Sequence, residues 1–411
     1  MKLTIEQARA CWARRQGLSA PVRGEVADVV RAAGWIYSAG STLSYLALRA
    51  RLPGIDRATI DRAIFDEGSL LEVPTVRGCT MLVPREDVSL ALMAGRPFSE
   101  KFLGKVRTAC NITDREVRDL SAAVPALLKG GPLTMEGLRE RLPANLVRNL
   151  GAAGKSLGER STLSFTMRLL QREAVVQRVA ADRRLDSEAF AYRLMNSELV
   201  KPQTPEEAED GLARRFFGWA APATVKEFAW WAGISQKQAR NVAARIGLTL
   251  LSVEGWAEEA WIPTEQEQSF PSIRNGKDDL KVNFLPFRDN YLYFRRGIGV
   301  LLNEKDGSAE VLDWMRRPSR LGDLDSLHHH AIILDGRLIG YWEYDPDAQE
   351  VVWRTCSAPG RDAQKEIKRG IAELRGFVHA QLGDAAFYAF DAGTNRRLRI
   401  DSLKRQHEAS C

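Results

Sequence analysis

The stretch from Thr224 to Pro263 constrains the fold more than any other part of this 411-residue chain. Thr224 followed by Glu227, and Ser235 followed by Gln238, are each spaced as a capping box, which satisfies the orphan N–H groups at a helix start. The first predicted helix carries Phe228, Trp231 and Ala232 on one face. It stops at Gly233, a residue free to take the left-handed conformation that ends helices. In the second, Ala239, Val242, Ala243 and Ile246 fall at i, i+3, i+4 and i+7 as an apolar stripe, and Lys237, Arg240, Asn241 and Arg245 take the opposite face. Two short strands, Thr249–Val253 and Ala260–Pro263, follow around a turn at Gly255. Two helices joined by a tight glycine turn form the unit that lays its second helix in a DNA groove. An ordinary helical hairpin with solvated basic residues carries the same pattern.

A helix-then-strand unit recurs twice upstream. Residues Arg57–Asp66 read as a helix with Ile60, Ile64 and Phe65 inward, followed by strand-like Leu70–Val73 and Cys79–Val83 around Arg77-Gly78. Thr134 opens a short helix ending before Pro143, Thr162–Arg172 forms a longer one, and Val175–Val179 is the strand after it. Gly130-Gly131-Pro132 and Lys201–Pro205 read as linkers, and Asn111–Lys129 as a connecting helix capped by Thr113 and Glu116. Further on, Ala331–Leu334, Leu338–Tyr344 and Glu350–Thr355 form an antiparallel meander with Asp335-Gly336 as a hairpin turn. A helix at Asp362–Leu382 follows, and Ala385–Ala389 reads as one more strand. The fold expected is mainly α with β (α+β): three tandem winged-helix motifs plus a C-terminal β-rich, barrel-like domain with one long helix. The expected boundaries are 1–110, 111–205, 206–270 and 271–411.

Composition narrows the function by exclusion. Lys and Arg total 59 against 53 acidic residues, a net charge of +6 that permits a nucleic-acid partner without demanding one. The five cysteines are scattered with no C-x-x-C, so neither a zinc site nor a disulfide framework is indicated. The charged opening, with Thr4 capping through Gln7, and the lack of a long apolar run point to a cytoplasmic protein with no membrane span. All five histidines lie at position 328 or later, which leaves the first 327 residues without an imidazole base. His328-His329-His330 would alternate faces on a strand and cannot converge on one metal, so a solvent-exposed strand entry is expected there. No Walker A loop, dinucleotide fingerprint or nucleophile elbow occurs, and no cofactor or metal is expected.

Several stretches resemble the AlkZ/YcaQ family of winged-helix DNA glycosylases, in order along nearly the whole chain. They are Leu3-Thr4 with Gln7-Ala8-Arg9, Gln16-Gly17-Leu18, Tyr45-Leu46-Ala47-Leu48 with Arg51-Leu52-Pro53-Gly54, Arg77-Gly78, Leu82-Val83-Pro84, Leu285-Pro286-Phe287 to Tyr291, and Asp335-Gly336-Arg337 with Gly340. The resemblance implies three tandem winged helices around a concave channel that takes duplex DNA. It implies hydrolysis of the N-glycosidic bond of bulky N3- or N7-alkylated purines, including crosslinks. Such a purine is already cationic, so it leaves without a general acid. The protein has only to place a water and stabilise an oxocarbenium-like sugar. The family does this with a Q-x-Q or Q-x-D motif, eight residues before the position of Tyr45. Here that place reads Tyr37-Ser38-Ala39, and Met81 stands where the family usually has a histidine.

The reading adopted is therefore a DNA-binding protein on an alkylpurine glycosylase scaffold, a monomer without the usual water-holding amides. Its phosphate contacts are expected from Arg77, Lys155, Arg160, Arg168, Lys237, Arg240 and Arg245. One alternative is an active glycosylase in DNA repair or self-resistance, in which Tyr37 or Ser38 takes over the catalytic role and Asp56 or Glu72 lies near the same channel. Another is a small-molecule-binding resistance or regulatory protein, with Trp230, Trp231, Trp256 and Trp261 lining a pocket for a flat aromatic compound.

Overall fold

The computed structural model describes residues 2–38, 41–256, 258–267, 280–313, 315–386 and 394–408. It is a mixed helix-and-strand protein built from three helical groups, each closed by a three-stranded sheet, and a C-terminal sheet flanked by helices.

The first group holds helices Val26–Ala33, Leu43–Arg51 and Arg57–Phe65. Its sheet runs in the order Ile36–Tyr37, Thr80–Pro84, Leu70–Pro74, all antiparallel. Arg77 and Gly78, at the turn between the two longer strands, both have positive φ (57° and 71°), as a tight reversal needs. Helix Val88–Ala109 leads to the second group, which has its own core around Leu120, Leu138, Leu163 and Val176. There helix Asp114–Leu128 carries the capping box of Thr113 and Glu116, and the sheet order is Leu133–Thr134, Phe190–Leu194, Val176–Ala180.

The third group is the Thr224–Pro263 segment together with helix Pro205–Ala220. Helix Val225–Ala232 starts in the Thr224–Glu227 capping box and ends at Gly233 with φ 72°, and helix Gln236–Arg245 follows at once. Ser235 caps that second helix, but the Gln238 side chain turns away and donates to Glu209 at 2.5 Å, so the reciprocal half of the expected box is not made. Strands Leu248–Val253 and Ala260–Pro263 form the hairpin, and Lys2–Leu3 adds to it in parallel as a third strand. That last pairing joins the start of the chain to residues some 250 positions away and has no local signature.

The C-terminal sheet is antiparallel in the order Val282–Leu285, His330–Leu334, Arg337–Asp345, Glu350–Thr355. It is an open four-stranded sheet; among the described residues nothing closes it into the barrel expected from the sequence. Both faces are covered, Ile332 and Leu334 by one core and Ala331 and Ile333 by another, so every residue of His330–Leu334 is buried. Two helices, not one, pack here: Arg361–Phe377, continued by a wider turn Val378–Leu382, and Asn395–Glu408. Of the strand expected at Ala385–Ala389, Ala385 and Ala386 are irregular and the rest lies outside the described residues. Among the described residues no helix is long and apolar enough to cross a membrane.

Candidate nucleic-acid interface

Of Tyr37-Ser38-Ala39, Tyr37 ends the short strand Ile36–Tyr37 and Ser38 follows it. Tyr37 pairs across the strands with Met81, so these two residues are direct neighbours. Tyr37 is half-buried against Leu43 and Phe287, and the Arg288 guanidinium lies 5.0 Å above its ring. Burial pushes the Tyr37 hydroxyl pKa up, against the pull of Arg288 and Arg178. Arg288 has a φ of 60°, a conformation that a non-glycine residue holds only when its surroundings impose it. The void beside Tyr37, Leu43 and Arg288 is about 10 Å³, room for one water at most and none for a base.

Ser38 is fully buried, and its hydroxyl donates to the Glu72 carboxylate, itself almost completely buried. The register explains this pair. Ser38 N–H donates to Thr80 O at 3.0 Å, while Glu72 sits opposite Leu82, so the two side chains share one face of the sheet. Ala39 lies outside the described residues. Asp56 is far from this arrangement in role: it is exposed and caps helix Arg57–Phe65 by accepting from Thr59 N–H.

Pro74 and Thr80, next along the face that carries Ser38 and Glu72, line a cleft of about 690 Å³ between the first and second groups. Its other wall and floor supply Arg139, Arg160, Arg168, Arg172 and Arg178, against Glu136, Glu159 and Glu188. Arg168 pairs with buried Glu159 and lies over the Phe102 ring at 5.4 Å, and Arg178 lies over Phe190 at 4.1 Å. The cleft therefore presents guanidinium groups and aromatic rings together, a combination suited to phosphates and bases.

The sequence-derived contacts divide. Arg160 and Arg168 line the cleft, and Lys155 is exposed on the neighbouring helix Gly151–Ser156. Lys237 and Arg240 are exposed on helix Gln236–Arg245. Arg245 points into an acidic cluster, 2.7 Å from Asp210 and 3.3 Å from Glu209, which neutralises it. Arg77 is packed into the protein: it reaches the Tyr293 hydroxyl at 3.3 Å, lies over Trp230 at 5.1 Å and presses on Gly233. Arg139, Arg172, Arg178 and Arg288 were not singled out by sequence, because nothing local distinguishes an arginine on a cleft wall from one in open solvent.

The histidine run is not the exposed strand entry expected. His329 and His330 are buried: His329 Nδ1 lies 3.1 Å from Glu343, and His330 accepts from Phe287 N–H at 3.0 Å while stacking on Trp342. Two-sided burial of that strand draws them in. Among the described residues no three His, Cys, Asp or Glu side chains gather as a metal set. The four tryptophans divide between two cores. Trp230, Trp231 and Trp261 belong to one core and Trp256 stacks on Trp12 in another.

Comparison with known proteins bears on this geometry. The sequence profile of the family described as "DNA glycosylase AlkZ-like" matches residues 41–377. Among solved structures, the DNA glycosylase AlkZ of Streptomyces sahachiroi superimposes with a TM-score of 0.67 at 21% identity, covering 94% of this chain and 99% of that one. No curated protein sequence matches.

Proposed function

Because the chain belongs to the AlkZ-like DNA glycosylase family, we propose that it grips duplex DNA in the arginine-lined cleft without the family's amide-based hydrolysis. The observation that carries this reading is the convergence of five arginines on a cleft whose wall, at Thr80, adjoins the motif position. In this reading the three helix-and-sheet groups are winged helices of a monomer, divided near residues 110, 205 and 270 from one another and from the C-terminal sheet. Arg160 and Arg168 would contact phosphates together with Lys155, Lys237 and Arg240.

Excision of a cationic alkylpurine needs a positioned water beneath the sugar. The Ser38 hydroxyl is buried on Glu72, and the Tyr37 ring lies under Arg288. Both arrangements favour binding over bond cleavage. The test is single-turnover incubation with a duplex carrying one 7-methylguanine, scored by alkaline cleavage at abasic sites, with binding read in parallel. Binding with no cleavage above the spontaneous rate is expected. The log–log salt slope should be about −4.5 if five phosphates are neutralised. No binding at low salt would overturn the reading.

One observation favours a second reading, the placement of a buried carboxylate, Glu72, across the central strand from the motif position. A carboxylate can stabilise an oxocarbenium-like sugar and orient a water. In that case excision would be measurable and would be lost in Glu72→Gln, and also in Tyr37→Phe with Ser38→Ala, while binding persisted.

A further inference from the structure

The largest exposed aromatic side chain of the cleft is Phe98, on helix Val88–Ala109. Half of it (51%) is open to solvent, whereas Phe102 and Phe190 are partly covered beneath Arg168 and Arg178. Its position is fixed by two glycines. The ring rests on the backbone of Gly78, where a Cβ would stand 2.5 Å from Phe98 Cδ1. One turn earlier, Gly95 packs so tightly on the same reversal that a Cβ there would lie 2.9 Å from the Thr75 carbonyl oxygen. The helix is thus seated directly on the turn, and Phe98 overhangs it at the cleft.

A half-exposed ring at the rim of a charged cleft offers a flat apolar face to a ligand seated there. The surroundings say what fits. Arg96, Lys101 and Lys105 are exposed on the same helix, and five arginines lie across the cleft. The cleft's five arginines outnumber its three glutamates, Glu136, Glu159 and Glu188. A partner that matches this excess of cations and also offers flat apolar faces is a nucleic acid, whose phosphates meet the cations and whose bases meet the ring.

We propose that Phe98 is a wedge that enters a weakened base step of duplex DNA held in the cleft and so distinguishes distorted from intact duplex. The inference rests on the DNA-binding reading above. Opening a base step is least costly where pairing or stacking is already damaged, so an inserted ring favours such sites without reading any base edge.

The experiment measures binding of the full chain to two duplexes of one sequence, one fully paired and one with a single mismatch beside a 2-aminopurine. Wild type should bind the mismatched duplex more tightly and change the 2-aminopurine fluorescence. Phe98→Ala should weaken mismatch binding about tenfold, in line with the loss of one aromatic–base stack. It should also abolish the fluorescence change and leave the salt slope and the paired duplex unaffected. Phe98→Leu, which keeps an apolar wedge, should retain most of the preference. Equal binding of both duplexes by wild type and Phe98→Ala would overturn the wedge while leaving the DNA reading intact. A parallel loss for both duplexes, accompanied by a lower melting temperature, would make Phe98 a packing residue. Absence of any duplex binding by wild type would overturn the DNA reading itself.

Discussion

Arg51 and Asp289 form a fully buried pair, joined by two hydrogen bonds of 2.7 Å between guanidinium and carboxylate. Arg51 also donates to Ala47 O and to Gln16 Oε1, and Gln16 in turn donates to Trp219 O. One side chain at the end of helix Leu43–Arg51 therefore ties the first group to the C-terminal segment and, through Gln16, to the third group.

Removing one partner of such a pair strands a buried charge. Asp289→Ala is expected to destabilise the protein by about 3–5 kcal/mol, whereas replacing both partners by apolar residues should cost much less. Urea unfolding of Asp289→Ala beside Arg51→Met with Asp289→Leu checks this. Equal losses in the two variants would show that the pair does not act as a unit.

On the DNA-binding reading proposed above, charge location should matter more than charge count. Arg160→Ala and Lys155→Ala remove cations assigned to phosphates, and each should weaken binding and reduce the salt slope by about one. Arg245→Ala should leave affinity nearly unchanged, because Asp210 and Glu209 already neutralise that guanidinium. Fluorescence anisotropy across a salt series distinguishes the two classes.

His330 gives the fold a pH dependence. Burial depresses its pKa from 6.5 to about 4, with Glu343 opposing the shift and Arg399 reinforcing it. His328 is depressed to about 4 as well, again chiefly by burial. Between pH 6.5 and 4 the unfolded chain binds protons that the folded one does not. Stability must then fall as pH is lowered through that window, by up to about 1.4 kcal/mol per pH unit for each histidine. Burial alone would raise the Glu343 pKa, but Arg399 and the neighbouring histidines hold it below the usual carboxylate range, so its contribution is lost only at still lower pH. Unfolding midpoints at pH 7 and pH 5 should differ more in wild type than in His330→Gln.

The stretches that carried the family resemblance turn out to be largely scaffold, which is why the fold was more legible than the site. Tyr45 donates to Asp61 and accepts from Leu185 N–H, bridging the first and second groups. Tyr291 donates to Gly336 O at 2.6 Å, and Gly336 packs on the backbone of Arg9. Caps and turns were readable because their physics is local: Thr224 and Glu227, Thr113 and Glu116, and Gly233 each act within a few residues. Long-range pairings were not. Nothing near Lys2 announces a partner at Ser252, and nothing near Glu227 announces the Arg295 side chain 3.2 Å away. The cleft suffered most, because its lining is assembled from six stretches of sequence between Pro74 and Tyr192.

Gly233, between helices Val225–Ala232 and Gln236–Arg245, packs on Arg77 of the first group, which makes it a sharp test of the assembly. Its φ of 72° is the left-handed conformation, costing a side-chain-bearing residue roughly 1–2 kcal/mol. A Cβ there would also stand 2.7 Å from Arg77 Cγ, and Arg77 is the residue that lies over Trp230 and reaches Tyr293. Gly233→Ala should therefore destabilise by more than the backbone term alone and displace Arg77. Gly255→Ala is the control: its φ of 79° is similar, but a Cβ there meets open space. Thermal melts of the two variants separate the effects. A melting temperature for Gly233→Ala no lower than that of Gly255→Ala would show that the Arg77 contact adds nothing to holding the two groups together.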